Sequence, residues 1–283
     1  MLKKMKLSKM SILIPAFLVL GASFVNAEEM VEKEASEQKS EVANGASAID
    51  LEKVKANLRP HFAPEVEIKG IEYSGISDIY FFHVGGQALM FVNEGDYIIN
   101  GGFFDMKDGA NNLVDSYMSK YYVETLNSFS DEDKIIYTPE DGEVKGRAIV
   151  FTDPSCPYCT KLHNKMDEYL SYGIQIEYLP FPRGGQSGPG YTDTLKTWCA
   201  DTQEKRKQLM NAAKNGNNPP VLVNQKVTEE CVADFQKLLD MNSTLNITGT
   251  PAVFLETGKQ VGGYVEPAAL FREVMENGQS EEK

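Results

Sequence analysis

The chain has 283 residues, of which 42% are hydrophobic and 10% aromatic, and it carries 28 basic against 41 acidic side chains. A length of this order predicts one or two domains with a substantial buried core. The net charge of −13 argues against a nucleic-acid partner, because phosphate binding requires concentrated lysine and arginine. Four cysteines are too few for a small scaffold held together by disulfides.

The first 27 residues have the pattern of a secretory signal peptide. Four lysines within residues 1–10 precede an apolar run over Ile12–Val25, and Val25-Asn26-Ala27 offers the small residues that signal peptidase requires. The run is shorter than the ~20 residues of a membrane span, which disfavours the alternative of a permanent anchor. Cleavage after Ala27 would leave a soluble protein in an extracytoplasmic compartment where disulfides persist.

Residues 28–46 are rich in glutamate and poor in large apolar side chains, so we predict a disordered acidic lead. Residues 47–111 follow as an N-terminal domain that begins with an amphipathic helix over Ala48–Leu58. A small antiparallel sheet is predicted from four apolar runs divided by turn signals, namely Val66–Tyr73, Ile79–His83, Ala88–Val92 and Tyr97–Asn100. Its core is too thin to stand alone, so it should pair with a second copy or with the rest of the chain.

Residues 112–130 are predicted to form a connecting helix, because aromatic and aliphatic residues recur every four positions. The remaining chain, residues 131–283, alternates strand and helix. Its predicted elements are strand Ala148–Thr152, helix Cys156–Tyr172, strand Ile174–Leu179, a polar helical insertion to Asn246, a hairpin of Ala252–Glu256 and Gln260–Val265, and helix Pro267–Glu276. This order places one parallel crossover beside an antiparallel pair and indicates an α+β fold.

Cys156-Pro157-Tyr158-Cys159 lies where a predicted strand turns into a predicted helix. A thiol at a helix start faces unsatisfied N–H groups and the positive end of the helix dipole, and both favour the thiolate. Cys156 is therefore predicted to be the attacking nucleophile. Cys159, three residues later and more buried, is predicted to resolve the mixed disulfide that Cys156 forms.

Other interpretations of the Cys-x-x-Cys pair fit less well. A c-type haem site requires histidine where Thr160 stands, and a zinc site would need two further ligands at compatible spacing. A purely structural disulfide between Cys156 and Cys159 is the third alternative. No metal and no cofactor are predicted. For Cys199 and Cys231, a structural disulfide is favoured over a second redox pair.

Thr250-Pro251 precedes a predicted strand beside this site, and an X-Pro bond in such a place is a candidate cis peptide. If the bond is cis, Thr250 presents backbone groups that can pair with an extended substrate near Cys156. His163 follows Cys159 by four residues, and we predict a packing role for it rather than a catalytic one.

Together these motifs resemble the DsbC-type periplasmic disulfide isomerases of the thioredoxin superfamily. The segments that carry the resemblance are Phe151–Cys159 with Lys161-Leu162-His163, and then Tyr97–Asp105, Leu179–Arg183, Trp198-Cys199 and Gly249–Val253. It covers residues 48–277. The Pro157-Tyr158 dipeptide departs from the usual Gly-Tyr and matches the sister DsbG group, whereas DsbG-type proteins lack the second cysteine pair.

The resemblance implies a V-shaped homodimer in the periplasm of a Gram-negative bacterium. Each arm would hold a C-terminal thioredoxin-like domain with a helical insertion, joined by a linker helix to an N-terminal cystatin-like dimerisation domain. Cys199–Cys231 would be the structural bridge. The implied partners are misoxidised secreted proteins and a membrane thiol reductant of the DsbD type.

At the site, the resemblance implies Cys156 as attacking thiolate, Cys159 as resolving thiol and Pro251 as the cis-proline, with Tyr158 and Thr250 contacting substrate. Thioredoxin itself has a buried acid six residues before its first cysteine, a position that Val150 occupies here. The acceptor for the proton of the resolving thiol therefore stays open between Asp153 and a water molecule.

The leading functional hypothesis is a disulfide isomerase of broad specificity with chaperone action. Two alternatives are a DsbG-like reductase that protects single cysteines from sulfenic acid and a periplasmic chaperone whose cysteines are dispensable. A monomeric oxidase is a third, although such an enzyme has no need of the N-terminal sheet.

Overall fold

The computed structural model describes residues 49–280 apart from residues 108, 141 and 216–219, and of residues 220, 221 and 277–280 it describes the backbone only. The predicted signal peptide and acidic lead lie outside the described residues. Within the described ranges no helix is both long and apolar enough to cross a bilayer.

The N-terminal part is an antiparallel sheet, as predicted, and the predicted helix, which begins at Leu51 rather than Ala48, is packed on it. Its elements are α1 (Leu51–Leu58), β1 (Ile68–Tyr73), β2 (Tyr80–Val84), β3 (Gln87–Val92) and β4 (Tyr97–Ile99), and the strands lie in the order β1-β2-β3-β4. Helix α1 begins after Asp50, whose carboxylate accepts hydrogen bonds from the N–H groups of Glu52 and Lys53.

The two faces of this sheet belong to different cores, because successive side chains of a strand point in opposite directions. Phe82 of β2 and Phe91 of β3 are buried against α1 in one cluster with Leu58. Phe81 and Met90, their neighbours along the chain, join the main core of the molecule on the other face.

A long helix connects the sheet to the C-terminal part. After the short strands β5 (Phe104–Asp105) and β6 (Asn111–Asn112), helix α2 runs over Leu113–Ser128, close to the predicted bounds. Tyr117 of α2 stacks on Phe81 of the N-terminal sheet, with ring centroids 5.0 Å apart. Further along the same helix, Tyr122 packs edge-on against Phe254 of the C-terminal part at 5.5 Å. One face of the connecting helix, which carries Tyr117, Met118, Tyr122 and Leu126, is therefore buried against both parts.

The C-terminal part is built on a mixed sheet. Its strands are β7 (Ile135–Tyr137), β8 (Gly146–Thr152), β9 (Ile174–Pro180), β10 (Ala252–Leu255) and β11 (Gln260–Gly262), in the order β11-β10-β8-β9-β7. Strands β8 and β9 are parallel and the other pairs are antiparallel, which confirms the predicted crossover beside an antiparallel pair. Strand β7 was not predicted, since three residues are too few to display a period.

The helices of this part are α3 (Pro157–His163), α4 (Met166–Ser171), α5 (Tyr191–Trp198), α6 (Gln203–Lys214), α7 (Pro220–Val223), α8 (Glu229–Met241) and α9 (Pro267–Ser280). The prediction of one helix over Cys156–Tyr172 is wrong, because Lys165 has non-helical backbone angles (φ −106°, ψ 15°) that separate α3 from α4. The buried side chains Leu162, Met166 and Tyr169 keep helical spacing across the break. The hydrophobic pattern therefore does not reveal it.

Candidate redox site at the start of helix α3

The site is assembled where β8 ends and α3 begins. Cys156 has extended backbone angles and precedes the first helical residue, Pro157, whose missing N–H costs nothing in a first turn. Both thiols are free, and residues Cys156 and Cys159 are 2% and 0% exposed. Tyr158, between them in sequence, is 63% exposed, so the first turn of α3 presents an aromatic residue to solvent.

Cys156 is the more acidic of the two thiols. Burial raises its pKa, but hydrogen bonding from Thr250 and from the N–H groups of Cys159 and Tyr158 outweighs burial, so that the pKa lies below the ordinary cysteine value. These N–H groups belong to the first turn of α3, which has no earlier carbonyl to accept them. The local structure thus supports the predicted nucleophile.

The turn before β10 faces the same thiol. The Thr250-Pro251 peptide bond is cis, and the Cys156 thiol donates a hydrogen bond to the Thr250 carbonyl oxygen at 3.1 Å. The Thr250 hydroxyl is buried and has no hydrogen-bond partner among the described residues. The hydroxyl is therefore free to donate to a thiolate, and the Thr250 side chain lowers the pKa of both Cys156 and Cys159. The structure therefore brings Thr250, Pro251 and Tyr158 to the dithiol.

Cys159 is the less acidic of the two thiols. Burial raises its pKa above the ordinary value, and the charge of Lys214, the N–H of Asp153 and the Thr250 side chain only partly oppose that effect. Lys214 is the last residue of α6 in the helical insertion and is itself 4% exposed. Lys214 is not among the site residues predicted from the sequence. The signal that marks it is its place on the buried stripe of α6, four residues after Met210.

Asp153, one of the two acceptors considered for the Cys159 proton, is engaged elsewhere. One carboxylate oxygen accepts hydrogen bonds from the N–H and hydroxyl of Ser155, both at 2.7 Å. The other accepts from the N–H and Nε of Arg183, at 3.0 and 2.9 Å. Burial raises the pKa of Asp153, but these four bonds lower it below the ordinary value. Gly190 is required beside it, because a Cβ there would lie 2.1 Å from Oδ1 of Asp153.

Among the described residues, the His163 ring makes no hydrogen bond to either thiol. Its Nδ1 lies 3.2 Å from the Tyr178 hydroxyl and its Nε2 lies 2.8 Å from Oδ1 of Asn211. Burial and the charge of Lys214 lower the pKa of His163 to about 4, so the ring is neutral at neutral pH. It ties α3 to β9 and α6.

The second cysteine pair lies apart from this dithiol. Cys199, which directly follows α5, forms a disulfide with Cys231 near the start of α8, with their Cα atoms 5.8 Å apart. The bond joins two helices of the insertion across 32 positions of sequence. Among the described residues no group of three or more histidine, cysteine, aspartate or glutamate side chains is arranged to hold a metal ion.

Chemically, two free thiols of unequal pKa at a helix start can exchange with an external disulfide. The lower pKa of Cys156 favours its attack, and Cys159 is close enough in the same turn to displace the bound partner.

Comparisons with known proteins agree with this chemistry. The family model of a thioredoxin-like domain matches residues 132–279. The thiol:disulfide interchange protein DsbC of Haemophilus influenzae is 30% identical over 239 residues, which cover 84% of this chain and 96% of that protein. DsbC of Escherichia coli is 30% identical over 65% of this chain and 71% of its own length.

Among solved structures, a disulfide interchange protein from Neisseria gonorrhoeae is similar, with 19% identity and a TM-score of 0.43 over 53% of this chain and 98% of that one. The sequence matches carry the assignment. The chain is an enzyme of thiol:disulfide interchange with a C-terminal thioredoxin-like domain, and it belongs to the DsbC family.

Proposed function

We propose that this protein is a periplasmic disulfide isomerase and reductase, which rearranges incorrect disulfides in secreted proteins through Cys156 and Cys159. The observation that carries the proposal is the free Cys156 thiol at the start of α3, with a pKa below its ordinary value, next to the cis Thr250-Pro251 bond. A lower pKa raises the fraction of thiolate near neutral pH, and the thiolate is the attacking species.

The first step forms a mixed disulfide. The Cys156 thiolate attacks one sulfur of a substrate disulfide, the substrate S–S bond breaks, and the other substrate sulfur leaves as a thiolate. When that thiolate attacks a second disulfide of the same substrate and a later thiolate displaces Cys156, the substrate is rearranged without net oxidation or reduction. Isomerisation therefore requires Cys156 to be reduced at the start.

The second route is net reduction. Cys159 attacks the Cys156 sulfur, the substrate leaves as a thiol, and the enzyme is left with a Cys156–Cys159 disulfide. A thiol reductant must then supply two electrons, and we assign this role to a membrane thiol reductant of the DsbD type. The exposed Tyr158 ring and the backbone of Thr250 are assigned to substrate binding, with Pro251 holding the turn.

We further propose a homodimer formed through the N-terminal domain, residues 47–111, with residues 112–130 as linker and 131–283 as catalytic domain. Strand β4 lies at the edge of its sheet, and Tyr97, Ile98 and Ile99 are all exposed on it. An exposed apolar edge strand is a template for pairing with another chain. Phe104 and Met106 add exposed apolar surface nearby in sequence, which supports a chaperone role toward unfolded substrates.

The periplasm is proposed as the compartment on two grounds. Residues 1–27 have the pattern of a signal peptide. The disulfide between Cys199 and Cys231 requires an oxidising environment to persist, and we assign it a structural role.

The test is the reactivation of a ribonuclease with scrambled disulfides by the reduced mature chain in a glutathione buffer. Recovery should depend on Cys156, so that Cys156→Ala has no activity, whereas Cys159→Ala should start the reaction and accumulate mixed disulfides. Recovery that is equal with Cys156→Ala would refute the proposal and support a chaperone whose cysteines are dispensable.

The Pro157-Tyr158 dipeptide, which resembles that of the DsbG group, favours one second candidate, a reductase of sulfenylated cysteines. There the Cys156 thiolate would displace hydroxide from a substrate Cys–SOH, and Cys159 would release the reduced substrate. Activity on a protein with a single sulfenylated cysteine, together with none on the scrambled ribonuclease, would establish this candidate in place of the isomerase.

A further inference from the structure

A buried lysine lies behind the dithiol. Lys214 ends helix α6, and its Nζ donates hydrogen bonds to the Thr152 hydroxyl at 2.7 Å and to the Asp153 carbonyl oxygen at 2.9 Å. Both acceptors are neutral. Among the described residues Lys214 has no carboxylate within ion-pair distance, unlike the other buried lysine, Lys134, which pairs with Glu177 at 2.9 Å.

Burying an ammonium group without a carboxylate is costly, since two neutral acceptors do not replace its hydration. A methionine of similar length would fill the same space without that cost. Buried charges that are retained in spite of their cost are concentrated at functional sites. What surrounds Lys214 therefore indicates what the charge acts on.

Charged and titratable groups approach Lys214 from each neighbouring element. Cys159 and His163 come from α3, Cys156 and Asp153 come from the segment between β8 and α3, and Arg183 follows β9. Burial lowers the pKa of Lys214 to about 8, while the charges of Cys159, Asp153 and Cys156 raise it and that of Arg183 lowers it. At neutral pH the Lys214 amine is mostly protonated. Of the groups that raise its pKa, Cys159 has the largest effect.

Among the described residues, Lys214 and Arg183 are the positive charges that act on Cys159, and Arg183 is already paired with the Asp153 carboxylate at 2.9 Å. Cys159 is fully buried, and Val150, where thioredoxin has its acid, is apolar and fully buried as well. The Asp153 carboxylate is saturated by Ser155 and Arg183. Of the influences that oppose the raised pKa of Cys159, the charge of Lys214 is the largest.

We propose that Lys214 is a positioning residue for the resolving step, whose buried ammonium stabilises the Cys159 thiolate while that thiolate displaces the substrate. The inference rests on the proposed role of Cys159. In the step, the Cys159 thiol gives its proton to solvent and attacks the Cys156 sulfur of the mixed disulfide. The Cys156–Cys159 bond forms, the Cys156–substrate bond breaks, and the substrate sulfur leaves as a thiolate that solvent protonates, while Lys214 keeps its proton throughout.

The test measures the pKa of Cys159 directly. In a Cys156→Ala background Cys159 is the one free thiol of the chain, because Cys199 and Cys231 are bonded to each other. Its thiolate is followed by absorbance at 240 nm and by the rate of iodoacetamide alkylation as functions of pH. Two substitutions remove the charge: Lys214→Gln keeps an N–H donor for Thr152 and Asp153, and Lys214→Met keeps the apolar stem.

The comparison is made below pH 8, where the Lys214 ammonium is still charged. There both variants should lower the Cys159 thiolate population about 10-fold or more, which corresponds to the pKa shift of about 1–3 pH units that an opposite charge nearby produces. The control is Lys207→Met, which removes a half-buried charge from the same helix beside Tyr137 and should leave the pKa unchanged. An unchanged pKa in folded Lys214→Gln or Lys214→Met would overturn the proposal.

A kinetic measurement uses the intact dithiol. The mixed disulfide between Cys156 and a cysteine peptide should resolve about 3-fold more slowly in Lys214→Gln for each pH unit by which the pKa rises, because a more basic thiolate is also more nucleophilic. An unchanged rate of resolution would also contradict the proposal. Neither measurement uses an isomerase assay, so the failure of isomerisation and the failure of this inference are distinguishable.

Discussion

The sulfur of Cys156 and the carbonyl oxygen of Thr250 lie 3.1 Å apart although 94 positions of sequence separate them. The sheet produces this proximity. Strand β10 is antiparallel to β8 with Ala252 opposite Phe151, so the beginning of β10 and the end of β8 lie at the same end of the sheet. The turn before one strand thereby faces the thiol that follows the other. The redox site therefore depends both on the segment after β8, which carries Cys156, and on the turn before β10, which carries Thr250.

The first prediction concerns the Thr250 side chain, which lowers the pKa of both thiols and whose buried hydroxyl has no hydrogen-bond partner in the part of the chain that the structure describes. Thr250→Val keeps the shape and removes the donor. In a Cys159→Ala background, the pKa of Cys156 should rise by about 1 pH unit, the value of one hydrogen bond to a charged group. Absorbance of the thiolate at 240 nm against pH measures it. Thr248→Val, at an exposed threonine of the same loop, should have no effect, and equal pKa values in the two variants would contradict the prediction.

The second prediction concerns Asp153, whose two carboxylate oxygens each accept two hydrogen bonds in a fully buried position. Asp153→Asn turns an amide NH2 toward two donors, so a buried hydrogen-bond site is lost. The free energy of unfolding in urea should fall by about 2–4 kcal/mol. We expect a loss of this size only because the carboxylate is buried, since an exposed carboxylate that loses a hydrogen bond can bind water instead.

A matched control is available at Glu256. It accepts from Nε of Arg147 at 2.9 Å, the same distance at which Asp153 accepts from Arg183, but its side chain is exposed. Glu256→Gln should therefore cost less than about 1 kcal/mol. Equal losses in the two variants would show that burial of Asp153 is not what makes its bonds valuable.

The order of strands and helices could be predicted because most elements carry their own pattern. The apolar runs that became β8, β9 and β10 are bounded by turn signals, and the cysteine motif marked the start of α3. What could not be predicted depends on tertiary context. Strand β7 is defined by its pairing with β9, and the break at Lys165 leaves the spacing of buried residues intact.

The site shows the same division. Short local motifs allow four site residues to be predicted from the sequence, namely Cys156, Cys159, Thr250 and Pro251. Lys214 could not be predicted, because it lies in a polar helix 55 positions after Cys159 and only the packing of α6 against α3 brings the two together. A lysine in such a helix is ordinarily solvated.

The third prediction concerns acid stability. Because burial lowers the pKa of His163 to about 4, the unfolded chain binds a proton at this residue below pH 6.5 and the folded chain does not. Stability is therefore lost as the pH falls from about 6.5 to about 4, and this residue accounts for about 3 kcal/mol of the loss. His163→Gln stays neutral and should show a smaller decline in the free energy of unfolding over that range. His61→Gln, at an exposed histidine, should follow the unsubstituted protein, and an unchanged slope in His163→Gln would refute the prediction.

The last prediction concerns the proposed dimer. Ile98 is the middle residue of β4 and is 38% exposed at the edge of the N-terminal sheet. A lysine there places a charge in the middle of any strand pair formed across that edge, and edge lysines are what monomeric proteins use to prevent such pairing. Ile98→Lys should therefore be a monomer by light scattering under conditions where the unsubstituted chain is a dimer.

Ile76 provides the control, because it is 40% exposed in the same N-terminal part but lies between β1 and β2 rather than at the β4 edge. Ile76→Lys adds the same charge at nearly the same exposure and should remain dimeric. If both variants stay dimeric, the copies associate through another surface. If both become monomeric, net charge rather than the strand edge governs association. Pairing along β4 is supported only if Ile98→Lys is monomeric and Ile76→Lys is dimeric. The thiolate population of Cys156 should be the same in both variants, because the dithiol lies in the other part of the chain.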